Sequence, residues 1–177
     1  MGVARKEQTY TVEDIYDLPE GVRAELIDGQ IYYMASPGTN HQRLVMSLAY
    51  QIQDYIKKNN GDCEVFPAPF AVFLRGDDRN YLEPDVTVVC DKDQLTEKGC
   101  KGAPDWVIEI VSPSSREMDY YRKLFLYRTA GVREYWIVDP DRNRITAYDF
   151  QRDGGGEYTL GEDVPVGIYE GLTINVI

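Results

Sequence analysis

Trp106-Val107-Ile108-Glu109-Ile110-Val111, followed after a helix-length interval by Glu134-Tyr135-Trp136-Ile137-Val138-Asp139, decides how this chain folds. Each run is short, nearly continuous in apolar residues and rich in β-branched and aromatic side chains. That is the pattern of a strand buried on both faces. Between them, Ser112-Pro113-Ser114-Ser115 is turn chemistry, a helix is predicted from about Ser115 to Ala130, and Gly131 stands where a helix closes on a left-handed residue. Strand, helix and strand in this order make a βαβ unit, so the two strands are expected side by side and parallel.

The rest of the chain extends an α/β reading in both directions. Upstream, Arg23–Ile27 and Gln30–Ala35 flank Asp28-Gly29, the strongest short signal for a β-hairpin. After the turn residues 36–40, Leu44, Val45, Leu48, Ala49, Ile52, Tyr55 and Ile56 recur at helical spacing, predicting a long amphipathic helix over 40–58 that ends at Asn59-Asn60-Gly61. Strand-like runs follow at 63–66, 70–74 and 85–90, and the charged segment 91–104 reads as a loop or short helix. Nearer the start, residues 1–8 read as a frayed end. Thr11 and Asp14 form a capping-box pair for a short helix that Pro19 stops. Downstream, strands are expected at 144–150, 158–160 and 172–177, with Asp153-Gly154-Gly155-Gly156 as a flexible tip.

Bulk composition bounds the function. At 177 residues with 43% hydrophobic and 12% aromatic content, one domain over 1–177 is expected. No run of about 18 apolar residues occurs, and the first residues lack an apolar segment, so a soluble cytoplasmic protein is expected. Cys63, Cys90 and Cys100 are odd in number and lack CxxC spacing, and they read as reduced structural thiols. The net charge of −11 argues against a protein that coats nucleic acid by counterion release. The objection weakens where acidic residues surround a metal ion, because a divalent cation inverts the local sign.

Two carboxylates stand in improbable places. Glu109 interrupts a buried strand, where a charge costs several kcal/mol (~3–5) unless it is paired or ligates a metal. It shares a face with Val107 and Val111, while Ile108 and Ile110 point the other way. Asp85 opens another strand just after Pro84, with Glu83 on its face. Either alone is equally well explained as a hydrogen-bonded structural carboxylate. Together, on neighbouring strands, they suit a divalent cation such as Mg²⁺ or Mn²⁺, with the Ile110 backbone carbonyl as a third hard oxygen ligand. The chemistry that needs this set is phosphodiester hydrolysis by metal-activated water, with a lysine to orient the water and meet charge on the phosphate.

At this point a resemblance can be drawn. Glu83-Pro84-Asp85 followed by Val107–Val111 resembles the core of the PD-(D/E)XK, or restriction endonuclease-like, nuclease superfamily. More narrowly, Glu25-Leu26-Ile27-Asp28-Gly29, His41, Pro84-Asp85-Val86, Val107–Ser114, Asp119, Lys123, Tyr127, Gly131-Val132 and Glu134–Pro140 are similar, in order, to the Uma-type restriction endonuclease family. The resemblance covers about residues 10–150. It implies a mixed sheet flanked by helices, a nucleic-acid substrate with DNA the first expectation, and a homodimer as an option. The superfamily's usual lysine would stand at position 111, where this chain has Val111. The resemblance implies that Lys123 on the following helix replaces it, and the depths along helix and strand, about 10 Å and roughly 7 Å, are close enough. It further implies Asp119 as the partner holding Lys123, and Glu25 and His41 near the site.

Bland readings remain beside these. Lys123 and Asp119 fit a solvated i,i+4 salt bridge, Glu25 a surface pair with Arg23, and His41, the only histidine, a structural hydrogen-bonder near a helix start. Tyr120, Tyr121 and Tyr127 read as packing rather than base-stacking residues. At the level of function, the competitor is a non-catalytic protein-interaction or nucleic-acid-binding module on the same fold, favoured by the charge and by Val111. A glycosidase using the carboxylates as acid and base is remote, because no aromatic sugar platform is evident.

Overall fold

The computed structural model describes residues 9–177, and the frayed end expected at residues 1–8 lies outside the described residues. Helix α1 (Val12–Tyr16) begins where the capping box predicts, with the Thr11 N–H donating to Asp14 Oδ2 at 2.7 Å. Strands β1 (Ala24–Ile27) and β2 (Gln30–Tyr33) form the predicted antiparallel hairpin. Its loop residues Asp28 and Gly29 have φ of 49° and 78°, the left-handed geometry that a two-residue turn requires. Helix α2 (Thr39–Lys58) buries the expected apolar stripe.

Strands β3 (Glu64–Pro67), β4 (Val72–Phe73) and β5 (Val86–Val89) come next. The connection over 91–104 contains more strand than its charge suggested. After a 3₁₀ turn at Lys92–Gln94, β6 (Leu95–Thr96) and β7 (Gly99–Lys101) join β4 in a small sheet. Strand β8 (Trp106–Ile110) is followed by a π-helical segment, Met118–Lys123, which passes into α3 (Leu124–Ala130) and closes on Gly131 at φ 100°. Then come β9 (Glu134–Asp139), β10 (Arg144–Asp149), β11 (Gly154–Tyr158), β12 (Asp163–Pro165) and β13 (Thr173–Asn175).

The main sheet has six strands in the order β11-β10-β9-β8-β5-β3. Only β8 and β9 run parallel, which is the predicted βαβ unit, and the other pairs are antiparallel. The result is the expected α/β fold: a mixed sheet flanked by helices with an N-terminal hairpin. Period-two alternation divides β8 between two layers. Trp106, Ile108 and Ile110 pack under α2, together with Val164, Ile174 and Val176 from the C-terminal strands. Val107 and Val111 pack on the opposite face with Leu126 and Tyr127 of α3. Glu109 therefore lies on the α3 side, as alternation required. Among the described residues no helix is long and apolar enough to cross a membrane.

The structure corrects three further expectations. Cys63 and Cys90 are joined in a disulfide, and only Cys100 is a free, buried thiol, pushed up to about 11 by burial. The reason is register: Glu64 pairs with Val89, so one further step along the ladder brings Cys63 opposite Cys90. Spacing along the chain carries no trace of that pairing. The glycines at 154–156 are strand rather than tip, paired with Ala147–Asp149. At Gly155 a Cβ would stand 2.1 Å from the Ala147 carbonyl oxygen, so glycine is what allows the two strands to approach. The predicted helix over 115–130 is also not uniform, because its first half is π-helical.

Two buried carboxylates tie this frame together. Glu134 accepts from Trp136 Nε1 and from the N–H groups of Gly167 and Ile168, which fastens the C-terminal segment to β9. Asp139, at the other end of β9, is wholly buried and accepts from Arg116 Nε and Nη2 at 3.0 and 3.1 Å. Burial raises the Asp139 carboxyl's affinity for a proton, but Arg116 and the Arg142 N–H outweigh it and hold the group below its ordinary range.

A carboxyl whose affinity for protons is lowered by folding stabilises the native state above its unfolded-state value, and this stabilisation fades as pH falls through the folded one. Asp139→Asn is accordingly expected to lower stability at pH 7, with the difference from the wild type shrinking in urea titrations run below about pH 4. For the disulfide, Cys63→Ser is expected to cost about 3–4 kcal/mol in non-reducing urea unfolding and to cost little once dithiothreitol is present. Unfolded, unreduced protein should show one reactive thiol.

Candidate active site

Strand alternation and one helical stripe build the site. On the α3 side of β8, Glu109 is flanked by Val107 and Val111, so its carboxylate emerges through an apolar layer. Asp119, Lys123 and Tyr127 are spaced by four and lie along one face of the segment that crosses that layer. β5 runs antiparallel to β8 with Val86 opposite Ile108, and the next step of that register sets Asp85 across from Glu109. Asp85 Oδ2 accepts the Ile110 N–H at 2.7 Å, a side chain standing in for a ladder bond. Glu25 comes from β1, and His41 from the first turn of α2.

Lys123 is the centre of the arrangement. Its Nζ lies 2.8 Å from Glu109 Oε1, 2.8 Å from Glu25 Oε2 and 3.6 Å from Asp119 Oδ1. Lys123, Glu25 and Glu109 are each only 4% exposed. The solvated salt bridge weighed for Lys123 is thus not what forms: the Asp119 contact exists but is buried and is the longest of the three. Nor does Glu25 pair with Arg23, which donates instead to Glu83 from Nε at 2.9 Å, while Glu25 Oε1 accepts the Glu83 N–H at 3.1 Å. His41 Nε2 lies 3.2 Å from Asp85 Oδ2. Position 111, where the superfamily lysine would stand, holds a buried valine, and the Lys123 amine reaches Glu109 from the helix side.

One group in direct contact with the carboxylates escaped the sequence reading. Tyr127, assigned to packing, is fully buried, yet its hydroxyl donates to Glu109 Oε1 at 2.8 Å. Its position four residues after Lys123, itself four after Asp119, was the available signal. Tyr135 adds a hydroxyl bond to the Asp119 backbone carbonyl at 3.0 Å.

Electrostatics at this spot are strongly perturbed. Burial pulls Lys123 toward the neutral amine, but Glu109, Glu25 and Asp119 outweigh it and keep the ammonium charged. Burial, together with the charges of Asp119, Glu25 and Asp85, drives the Glu109 carboxyl well above the ordinary carboxylate range against the pull of Lys123. Burial likewise raises Asp119. Burial first, and then Glu109, pushes Tyr127 far upward, so its hydroxyl stays a donor. The Asp85 carboxylate raises His41. Over these groups opens a cleft of about 690 Å³, walled by Tyr32–Gly38 on one side and by Ser112–Ser115 and Pro140 on the other.

A family model described as Uma2, putative restriction endonuclease, matches residues 12–167. The chain belongs to the Uma2 family. It is 29% identical over 131 residues to uncharacterized protein slr1290 of Synechocystis sp., covering 73% of this chain and 67% of that protein. To sll1609 of the same organism it is 25% identical over 143 residues, with coverages of 79% and 78%. A crystal structure from Anabaena variabilis, described as a putative nuclease belonging to DUF820, superimposes with a TM-score of 0.74 at 22% identity, over 94% of each chain. That likeness supports the fold.

The donor set of this Uma2 protein bears on the divalent cation that the family implies. Hard oxygen ligands are present in Asp85, Glu109 and the Ile110 carbonyl. Asp85 uses Oδ2 and Glu109 uses Oε1 for the contacts above, so the other oxygen of each takes no part in them. Three carboxylates around one ammonium also leave surplus negative charge, which a cation would balance. Against this, among the described residues no three histidine, cysteine or carboxylate side chains form a preformed metal cluster. The chemistry of the donors fits, with two side chains and a carbonyl rather than a closed cage.

Removing the ammonium tests the electrostatic account. Lys123→Met leaves Glu25 and Glu109 facing one another out of water, and is expected to cost about 3–5 kcal/mol at pH 7 in urea unfolding. The loss should be smaller at lower pH, where Glu109, already raised by burial, takes up a proton.

Proposed function

We propose that this protein is a metal-dependent nuclease that hydrolyses phosphodiester bonds of nucleic acid, DNA being the first candidate. The observation that carries the reading is the buried Lys123 ammonium, held by Glu109 and Glu25 next to Asp85 at the floor of an open cleft. A structural ion pair needs no cleft, and a surface pair needs no burial. Family membership supports the nuclease class, and the residues supply the roles.

Asp85, Glu109 and the Ile110 carbonyl would hold Mg²⁺ or Mn²⁺. Such an ion, when bound, polarises the phosphate and acidifies a water. The remaining work belongs to the chain. Lys123 orients the attacking water and offsets charge developing on the phosphate, the task for which a fixed, dry cation is suited. Glu25 keeps Lys123 in place from the hairpin side, and Asp119 does so from one turn earlier. Tyr127 fixes the Glu109 carboxylate. His41 fixes Asp85 and, drawn toward the imidazolium by that carboxylate, adds positive character beside the scissile group.

A non-catalytic module on this fold is the competing reading, favoured by the net charge of −11. Titration of Mg²⁺ and Mn²⁺ by calorimetry, with cleavage assays on DNA and RNA in single- and double-stranded form, separates the two. The nuclease reading expects metal binding that Glu109→Gln weakens at least tenfold, and metal-dependent cleavage that Glu109→Gln and Lys123→Met abolish. No binding heat and no cleavage of any substrate would leave the module as the better account.

A further inference from the structure

The mouth of the cleft has a composition that bears on which nucleic acid enters it. The floor carries charge, but the exposed lining residues include no lysine or arginine and one carboxylate, Asp141. The remainder are small, uncharged polar or apolar residues, with Pro37, Pro69 and Pro113 at the edges and Tyr33, 70% exposed, as a free aromatic face. Of the other lining groups that carry positive charge, Arg23 is committed to Glu83 and His41 faces Asp85. The neighbouring Arg122 stacks over the Tyr32 ring and donates to its hydroxyl. Arg128, Arg144 and Arg152 are paired with Asp153, Glu157 and Asp149.

A duplex binds proteins chiefly by giving up counterions to rows of lysine and arginine, and it presents its phosphates on a stiff, convex surface. Neither condition is met here. Among the described residues no row of cations lines the cleft, the exposed Arg43 of α2 not being one of its lining residues, and the carboxylates sit below the surface in a space of about 690 Å³. Pockets of about 300–1,000 Å³ engulf a small molecule, which corresponds to a nucleotide or two of a strand and not to a double helix. A single strand can bend its backbone into such a space and lay a base on an aromatic face, a stacking attraction of about 1–3 kcal/mol per base that adds to whatever the phosphates contribute. A cation bound at the floor would change the charge there and leave the mouth as it is.

We infer that this cleft accepts single-stranded nucleic acid, with Tyr33 as a stacking platform for a base next to the scissile phosphate. The inference rests on the nuclease reading and narrows its substrate. The test is fluorescence anisotropy of the full chain with labelled (dT)12, (rU)12 and 12-base-pair DNA and RNA duplexes, in Ca²⁺ and across a salt series, alongside Mg²⁺ or Mn²⁺ cleavage of the same four. The expected result is binding of one or both single strands at least tenfold tighter than either duplex, with log Kd changing by no more than about 2 per decade of salt. Tyr33→Ala, at an exposed position, should weaken single-strand binding about tenfold while the thermal midpoint stays unchanged. The two strand chemistries show whether the sugar is read. Duplex binding as tight as single-strand binding, a steeper salt dependence, or an unaffected Tyr33→Ala overturns the inference. Cleavage of duplex with single strands left intact overturns it and leaves the nuclease standing, whereas no binding and no cleavage of all four removes both.

Discussion

Lys123 brings a full positive charge into a place with almost no access to water, and the surrounding architecture has to answer for it. An isolated buried ammonium would lose its proton, since desolvation disfavours the charged form. Here the charge survives because Glu109 from β8 and Glu25 from β1 each approach to 2.8 Å. The two carboxylates need the lysine as much as it needs them. Three elements far apart in the chain, the hairpin, the central strand and the π-helical segment, are therefore held in register by one charge. Removing Lys123 leaves the carboxylates buried without an ionic partner, which is why such clusters resist change at their centre.

The sheet's two faces divide the labour around that constraint. Under α2 the layer is wholly apolar near β8, built from Trp106, Ile108 and Ile110 against the helix stripe, and it needs nothing beyond close packing. The opposite layer carries the ionic cluster within a ring of apolar contacts from Val107, Val111 and Leu126. Those contacts exclude water and so strengthen each interaction inside. Along the π-helical stretch and the α-turn that follows it, Asp119, Lys123 and Tyr127 recur every fourth residue, and all three are turned toward the sheet.

Much of this was legible from residues whose local pattern and final environment agree. Glu109 in an apolar run, Asp28-Gly29 between two β-rich runs, and the stripe along α2 each have one sensible placement. Lys123 was legible only through the family likeness, because a lysine four residues after an aspartate reads equally well as a surface pair. Tyr127 shows the opposite failure. An aromatic residue at helical spacing is read as packing, and it does pack; only its hydroxyl reaches beyond the core, and composition carries no information about one atom. The Cys63–Cys90 bond was hidden for a different reason, since it depends on the register between two strands, a long-range property. The glycines at 154–156 look like a loop by propensity, whereas their use is to let β10 and β11 approach where a side chain would collide.

The acidic balance of the chain then has a physical place. A surplus of carboxylates is a liability for holding phosphates at a distance, but it becomes useful where the carboxylates are gathered and partly neutralised in advance. Lys123 and Tyr127 both engage Glu109 through Oε1, and the Ile110 N–H and His41 both meet Asp85 at Oδ2. One oxygen of each carboxylate is thus spent on the frame and the other takes no part in it. A cation of the proposed kind could attach to the second oxygens without dismantling the ion pairs that hold the hairpin, strand and helix together. On the proposed reading, stability of the site and capacity for a ligand, usually in conflict for buried carboxylates, would fall on different atoms of the same two side chains.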